Sequence, residues 1–297
     1  MHSRIRQASI LPLFPPEPAA TGFRHGAFTM STLRPLDVDR LSAEFLSAQP
    51  FPFIKIDNFL DAGFAREVAD SFPTFETAAK TGKAFESANE HLKVQLTDSG
   101  MFPAPVRKLH DALASQEFLD ALSVITGIPK LLADESMVGG GMHQTGPRGR
   151  LDVHVDFNFH RAKKLHRRLN ILIYLNPVWE RAWGGNVELW DQQVKVCHHS
   201  LEPILNRCVI FETSEISFHG VEPVTCPAGM TRKSFAGYYY TVEAPAGWDG
   251  TVHSTLFRAR PNEQVKGLLL MPLERMQRRC SDYVRRFKKS LKRSVRS

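Results

Sequence analysis

Residues 154–160 read HVDFNFH, and this alternation of polar and apolar residues is typical of a β-strand. Successive side chains of a strand point to opposite faces, so Val155, Phe157 and Phe159 are predicted to face a packed core. The other face would carry four polar side chains, those of His154, Asp156, Asn158 and His160. Histidine and aspartate are metal-ligand types, so the stretch predicts both a strand and a metal site.

The sequence pattern of the chain changes at about residue 132. Short β-rich runs follow, separated by turn residues: ESMVGGGMHQ, LDVHVDFNF, RLNILIYLN, GGNVELWD, NRCVIFET, SFHGVEPV and RKSFAGYYYTV. Many short strands at this spacing indicate a β-sandwich or barrel. We therefore expect an all-β core in the second half of the chain.

The first half is mostly helical in pattern, over residues 35–131. Asp61 is a predicted N-cap for the helix AGFAREVADSF, and residues 105–126 form another long helical stretch. A short strand, FPFIKIDNFL, precedes Asp61. Helices followed by strands predict an α+β or mainly β fold, with supporting helices packed on one side of the β core.

Residues 35–260 are expected to form a single domain, and the segments on either side of it differ from it in composition. Residues 1–34 are rich in proline and show no periodicity, so we expect disorder there. Either Met1 or Met30 could be the first residue that is translated. Residues 261–297 are predicted to form a basic amphipathic helix or tail. After residue 273 there are ten Lys/Arg and two acidic residues. This segment accounts for the whole formal charge of +7, so the rest of the chain is close to neutral.

Composition narrows the class of protein. The 297 residues are 42% hydrophobic, enough for one substantial core. The sequence contains no apolar stretch near the ~20 residues that a membrane span requires. Four cysteines at positions 197, 208, 226 and 280 have neither zinc-knuckle nor disulfide-ladder spacing, so a cytoplasmic protein is the expectation.

A metal site needs a ligand beyond His154 and Asp156. Two histidines and one carboxylate on one octahedral face form the protein's share of a non-haem Fe(II) site, with three positions left open. His219, in a separate β-run 63 residues beyond Asp156, is the best candidate. Thirteen residues later come Arg232 and Ser234, which share a strand face and suit a bound carboxylate.

These segments together resemble one enzyme family. HVD, RLNILIYLNPVWERAWGGNVELWD, FHGVEPV and GMTRKS, in this order, are similar to the Fe(II)/2-oxoglutarate-dependent dioxygenases. The likeness is greatest to the prolyl-4-hydroxylase-like group, including bacterial relatives of the oxygen-sensing prolyl hydroxylases, and it spans roughly residues 50–260. The resemblance implies a double-stranded β-helix (jelly-roll) core over residues 132–260.

The resemblance also implies roles for single residues. Iron would be bound by His154, Asp156 and His219. Arg232 would pair with the C5 carboxylate of 2-oxoglutarate, assisted by Tyr174 and Ser234. The implied reaction consumes O2 and 2-oxoglutarate, releases succinate and CO2, and hydroxylates an organic substrate such as a peptidyl proline. Whether ascorbate serves as an additional reductant stays open.

Several alternatives stay open from the sequence. The same cofactors serve hydroxylases of small molecules and glycans, and a jelly roll can also be a non-catalytic binding or sensor protein. The C-terminal basic helix could pack on the domain, which we favour, or contact an anionic membrane surface or nucleic acid. Neither the substrate nor the oligomeric state follows from the sequence.

Overall fold

The computed structural model describes residues 32–87 and 89–263. Thr32 and Leu33 are buried, and Leu33 forms a β-bridge with Leu60. Thr32 and Leu33 therefore pack against the fold at the end of the stretch that the sequence predicts to be disordered, and Leu33 joins the core. The rest of that predicted extension, and nearly all of the predicted basic helix, lie outside the described residues.

Five α-helices support the core: α1 (Val38–Ser47), α2 (Ala62–Asp70), α3 (Phe75–Thr81), α4 (Ala104–Ala114) and α5 (Gln116–Thr126). Asp61 caps α2 as predicted, with its carboxylate accepting from the amides of Gly63 and Phe64 at 2.9 and 3.0 Å. The stretch 105–126, expected as one helix, is two. Ser115 adopts an extended conformation with ψ of 146° and accepts from the Phe118 amide, so it ends α4 and caps α5.

Thirteen strands lie in the described part of the chain. They are β1 (Phe53–Asp57), β2 (Lys83–Glu86), β3 (Glu90–Leu96), β4 (Leu132–Ala133), β5 (Gly141–Val155), β6 (Phe159–His160), β7 (Leu165–Tyr174), β8 (Val187–Trp190), β9 (Cys197–Leu201), β10 (Arg207–Glu212), β11 (His219–Val221), β12 (Arg232–Thr241) and β13 (Leu256–Phe257). The seven predicted β-runs all contribute strands. The hairpin β2–β3 falls in the half expected to be helical, and that expectation was wrong there. In β3 the side chains alternate, with Val94 and Leu96 packed in the core and Lys93 and Gln95 on the other face.

The strands form one antiparallel sheet, curled into a half-barrel, in which eight strands follow the order β1-β10-β7-β12-β5-β11-β8-β9. The other five, β2, β3, β4, β6 and β13, pair off this path. Strand β5 is 15 residues long and serves both halves of it. Its first part, Gly141–Thr145, pairs with β12, and its end, around His154, pairs with β11. Because one long strand crosses from one half to the other, the sheet closes around an interior. This arrangement confirms the predicted jelly-roll fold with N-terminal supporting helices.

The helices cover the outer face of the β1-β10-β7-β12 half. Leu169, Ile171 and Ile173 of β7 are completely buried and share one core cluster with side chains of α1, α2, α4 and α5. Burial of each such side chain stabilises the fold by about 1.5–3 kcal/mol. Since strand residues alternate, Asn170 and Tyr174 of the same strand point to the interior of the half-barrel. The core thereby fixes which side chains line the site.

Over the ranges 32–87 and 89–263, the helices are all too short or too polar to cross a membrane.

Candidate active site

Three predicted ligands meet inside the half-barrel. His154 lies near the end of β5, Asp156 follows that strand, and His219 opens β11 directly opposite His154. The two imidazole centroids are 4.3 Å apart. The Nε2 atoms of His154 and His219 lie 3.7 and 3.5 Å from the Asp156 carboxylate oxygens Oδ1 and Oδ2, respectively. One ligand atom from each residue can be chosen so that all three lie within 4.8 Å of one another.

Backbone contacts turn both imidazoles the same way. Nδ1 of His154 lies 2.8 Å from the carbonyl oxygen of Asp152, and Nδ1 of His219 lies 2.9 Å from that of Ser217. A carbonyl only accepts, so Nδ1 carries the proton and Nε2 keeps its lone pair for the centre of the cluster. Burial lowers the pKa of His219 to about 3, which keeps this imidazole neutral at ordinary pH.

The carboxylate of the cluster is ionised. Burial opposes its ionisation, but the Arg167 guanidinium and the two histidines hold the pKa of Asp156 well below its usual range. Two imidazole nitrogens and one carboxylate are the donor set that a non-haem Fe(II) site uses. The residues present therefore fit the metal that the sequence predicts.

A second polar group lies at the start of β12. Arg232 is 4% exposed, and its Nε donates to the Gly185 carbonyl at 2.5 Å. Its Nη2 and the hydroxyl of Tyr174 lie close enough to interact with each other, but both are buried and neither makes a well-formed hydrogen bond within the described residues. Burial raises the pKa of Tyr174, so the hydroxyl keeps its proton and can donate. Orphaned buried donors of this kind indicate a missing acceptor, and a carboxylate would satisfy both.

The hydrogen bond between Arg232 and the Gly185 carbonyl requires a backbone conformation and a close approach that suit glycine. Its φ is +70°, and a Cβ there would lie 3.1 Å from Cδ of Arg232 and 3.2 Å from the Trp179 ring. A side chain at this position would push the arginine away. The Gly184–Gly185 pair thus lets the chain pass close to β12 and aims the guanidinium inward.

One cavity of about 460 Å³ joins the two groups. Its wall includes His154, Asp156 and His219 at one place and Arg232 and Ser234 at another. Ser234 is 2% exposed and lies opposite Tyr174 across the β7–β12 pair. The fold thus brings together all six site residues that the sequence singled out.

The alternation of HVDFNFH stops earlier than expected. Strand β5 ends at Val155, so Asn158 and His160 do not continue the ligand face. The Asn158 amide donates to Glu215 and to the Thr251 carbonyl, while His160 belongs to β6. His166 is only 7% exposed, because it packs between Phe159 and Trp248.

Several cavity residues were missed by sequence reasoning. On β5, His143 and Thr145 line the cavity, whereas Met142 and Gln144 do not. Met142 packs in the core and Gln144 donates to the Pro73 carbonyl. The pairing of β5 with β3 shifts register between Thr145 and Arg150, and Arg148 has a φ of 70°, so the face of the first part of β5 could not be deduced by alternation from His154.

Two further missed residues hold the carboxylate ligand. Arg167 and Asn170 of β7 both donate to Oδ2 of Asp156, at 3.0 and 2.8 Å. Their spacing in RRLN is an ordinary strand pattern. Only the approach of the Asp156 loop to β7 makes them part of the site, and no sequence signal shows that approach.

Comparison with known proteins agrees with this geometry. Residues 140–240 match the sequence model of the 2OG-Fe(II) oxygenase superfamily. Prolyl 3-hydroxylase OGFOD1 of Mus musculus is 38% identical over 78 residues, and that of Xenopus laevis is 35% identical over 78 residues. The aligned part covers 25% of this chain in both cases, but only 14% and 15% of the two relatives.

Solved structures of prolyl hydroxylases are similar at low identity. A Trichoplax adhaerens prolyl hydroxylase in complex with a hypoxia inducible factor peptide fragment has a TM-score of 0.49 at 18% identity, covering 68% of this chain and 90% of that one. A Pseudomonas putida prolyl-4-hydroxylase has a TM-score of 0.46 at 18% identity, covering 67% and 98%. The fold itself is established by the strand order given above.

The matched residues 140–240 run from the turn before β5 to Tyr240 in β12, so they include all three clustered ligands, Tyr174, Arg232 and Ser234. The resemblance seen in the sequence is thus confirmed over this stretch: residues 140–240, which carry the candidate site, match the 2OG-Fe(II) oxygenase superfamily.

Proposed function

We propose that the protein is an Fe(II)- and 2-oxoglutarate-dependent dioxygenase that hydroxylates an organic substrate and releases succinate and CO2. His154, Asp156 and His219 would hold the iron, and Arg232, Tyr174 and Ser234 would bind the far carboxylate of 2-oxoglutarate. The observation that carries the proposal is one cavity whose wall has both a three-ligand cluster and a buried guanidinium with Nη2 unsatisfied within the described residues. A plain metal site would need no such guanidinium.

The iron and its co-substrates supply the oxidising power that places one oxygen atom into a C–H bond. The protein contributes binding and orientation. The Gly185 carbonyl fixes Nε of Arg232, which leaves the remaining guanidinium hydrogens for a carboxylate. Since these donors are buried, their bonds to an anion are stronger than they would be in water. A 2-oxo acid anchored there presents its other end to the three-ligand cluster.

A prolyl residue of a protein or peptide is the substrate that we propose. The support is the name of the two relatives that share the 78-residue match, both prolyl 3-hydroxylases. This chain spans about one seventh of their length, so their full activity is carried over only as a proposal. A hydroxylase of small molecules or glycans is the runner-up, and a non-catalytic binding protein is the third candidate.

Product analysis tests the proposal and separates the candidates. The protein would be incubated with Fe(II), 2-oxoglutarate and O2, with and without ascorbate, in the presence of proline-containing peptides. We expect succinate formation and peptides heavier by one oxygen atom. Succinate without peptide hydroxylation would favour a small molecule or glycan, and iron binding without any succinate would favour a binding protein.

Matched variants locate the activity. His219→Ala should abolish succinate formation, because it removes one of the three ligands. His198→Ala, at an exposed position of β9, should leave it unchanged. Equal activity of the two variants would contradict the assignment of His219.

A cytoplasmic location and the domain limits of 35–260 remain proposals. The location is supported by Cys197, Cys208 and Cys226, which are free thiols and not disulfide-bonded. The domain limits are supported by the burial of Leu36 and Arg260 near the two ends.

A further inference from the structure

The Asp156 carboxylate is held from one side by two donors. Nη2 of Arg167 donates to Oδ2 at 3.0 Å, and Nδ2 of Asn170 donates to the same oxygen at 2.8 Å. An ionised carboxylate has about four lone-pair sites, two on each oxygen. Arg167 and Asn170 therefore use both sites of Oδ2, which leaves Oδ1 as the oxygen with lone pairs for a metal ion.

The two donors are themselves locked in place. Oδ1 of Asn170 accepts from Nε and Nη2 of Arg167 at 3.0 and 2.7 Å, and from the Thr213 hydroxyl at 3.3 Å. With its oxygen facing three donors, the amide must turn its nitrogen toward Asp156. The Asn170 amide orientation therefore follows from its hydrogen bonds.

Arg167 is equally confined. Its Cζ lies 3.5 Å from the Tyr238 ring centroid and 4.7 Å from that of Phe157, and the residue is 2% exposed. The Tyr238 hydroxyl in turn donates to the Gly139 carbonyl at 2.5 Å. The guanidinium is thus a buried, stacked cation with a fixed direction, and it does not resemble a mobile surface arginine.

We infer that Arg167, aided by Asn170, is a positioning residue that restricts Asp156 to one-oxygen metal binding. The inference rests on the proposed function. A carboxylate can bind a metal ion through one oxygen or through both. A two-oxygen Asp156 would occupy one of the three positions that two histidines and one carboxylate leave open. Arg167 would keep that position available for a chelating 2-oxo acid, at the cost of placing a positive charge near the metal ion.

This role predicts opposite changes in two affinities. Arg167→Met removes the charge and frees one of the two occupied lone-pair sites of Oδ2, while the flexible apolar side chain still packs between Tyr238 and Phe157. Metal binding should become tighter by about tenfold, because a second oxygen binds and a repulsive charge is gone. Binding of 2-oxoglutarate to the metal-loaded protein should become weaker by about tenfold, a typical size for a lost outer contact at a metal site. A residue with a merely structural role would weaken both when removed.

Arg168→Met is the matched control. Arg168 is the next residue of β7 and points to the opposite face, where it lies 4.0 Å from Glu212 and bonds the Thr241 hydroxyl. It does not line the cavity. Both affinities should stay within about twofold of the wild-type values, which is the scale of a surface substitution.

The experiment is anaerobic calorimetry on the full chain. Co(II) is titrated into each apo-protein, and 2-oxoglutarate is then titrated into the Co(II)-saturated protein. Tighter Co(II) and weaker 2-oxoglutarate binding in Arg167→Met alone would support the inference. A parallel loss of both affinities, or no change in either, would overturn it.

A second variant covers the case in which Arg167→Met does not fold. Asn170→Ala removes one of the two bonds to Oδ2 and keeps the cation, so it should shift both affinities in the same directions by a smaller factor. Unchanged affinities in a folded Asn170→Ala protein would also overturn the inference. A wild-type protein that binds neither Co(II) nor 2-oxoglutarate would instead refute the proposed function, so the two failures are distinguishable.

Discussion

Replacement of Arg232 by methionine should weaken 2-oxoglutarate binding without affecting metal binding. Nε of Arg232 is engaged with the Gly185 carbonyl, and Nη2 is buried with no partner among the described residues. At least one charge-assisted hydrogen bond to the co-substrate is therefore lost, which corresponds to about 1.5–3 kcal/mol. The dissociation constant for 2-oxoglutarate should rise roughly 10- to 150-fold.

The assay is an anaerobic titration of the Fe(II)-loaded protein with 2-oxoglutarate, followed by visible absorption of the metal chelate. Lys233→Met is the control, since Lys233 is the next residue of β12 and its ammonium lies outside the cavity, 5.9 Å from the Phe72 ring. Arg232→Lys should recover part of the affinity, because it restores the charge without the planar fork. An unchanged dissociation constant in a folded Arg232→Met protein would refute the carboxylate assignment.

Three other outcomes are expected. His154→Ala should lose Fe(II) binding in calorimetry with little change in melting temperature. Asp156→Ala should lose Fe(II) binding and also about 3–5 kcal/mol of stability, because the buried Arg167 loses its counter-charge. Equal melting temperatures of the two variants would contradict this. Burial, with Lys93 nearby, holds the pKa of His143 well below its ordinary 6.5, so the unfolded chain takes up a proton that the folded chain does not. The urea-unfolding free energy of the apo-protein should therefore fall as the pH drops below about 6.5. His143→Gln should reduce the slope of this free energy against pH by up to about 1.4 kcal/mol per pH unit. An unchanged slope would contradict the buried neutral state of His143. Ser115→Ala should lower the urea-unfolding free energy by about 1 kcal/mol through loss of the α5 cap, and no loss would show that the cap bond contributes nothing.

The parts of the site that the sequence predicts are those set by short-range patterns. His154 and Asp156 sit two residues apart at a strand end, where alternation places them together without any knowledge of the tertiary structure. His219, Tyr174 and Arg232 could be named because each lies in a recognisable β-run that resembles its counterpart in a known family. The all-β core followed from the number and spacing of such runs, and its jelly-roll form from the family resemblance.

The missed features depend on tertiary contacts. Arg167 and Asn170 join the site only because the loop after β5 folds back over β7, and a sequence does not show which strand receives a loop. His143 and His154 both face the cavity although their spacing is odd, because the alternation of β5 shifts between Thr145 and Arg150. The β2–β3 hairpin acquires its structure by pairing with β5, which lies about 50 residues further along the chain.

The helical stretch 105–126 shows a related limit. Its periodicity continues smoothly through Ser115, and only the extended backbone of that residue divides it. A serine within a helical pattern is compatible with either a surface position or a cap. Packing against the sheet decides between them, and that information is not local.

The most direct test of the central claim is the visible spectrum of the anaerobic wild-type protein during addition of Fe(II) and then 2-oxoglutarate. If His154, Asp156 and His219 hold iron in the cavity that Arg232 also lines, a charge-transfer band should appear only after both are present. The band should be absent in Asp156→Ala. Iron binding without a band in the wild-type protein would show that 2-oxoglutarate does not chelate the metal ion, and the dioxygenase assignment would then be wrong.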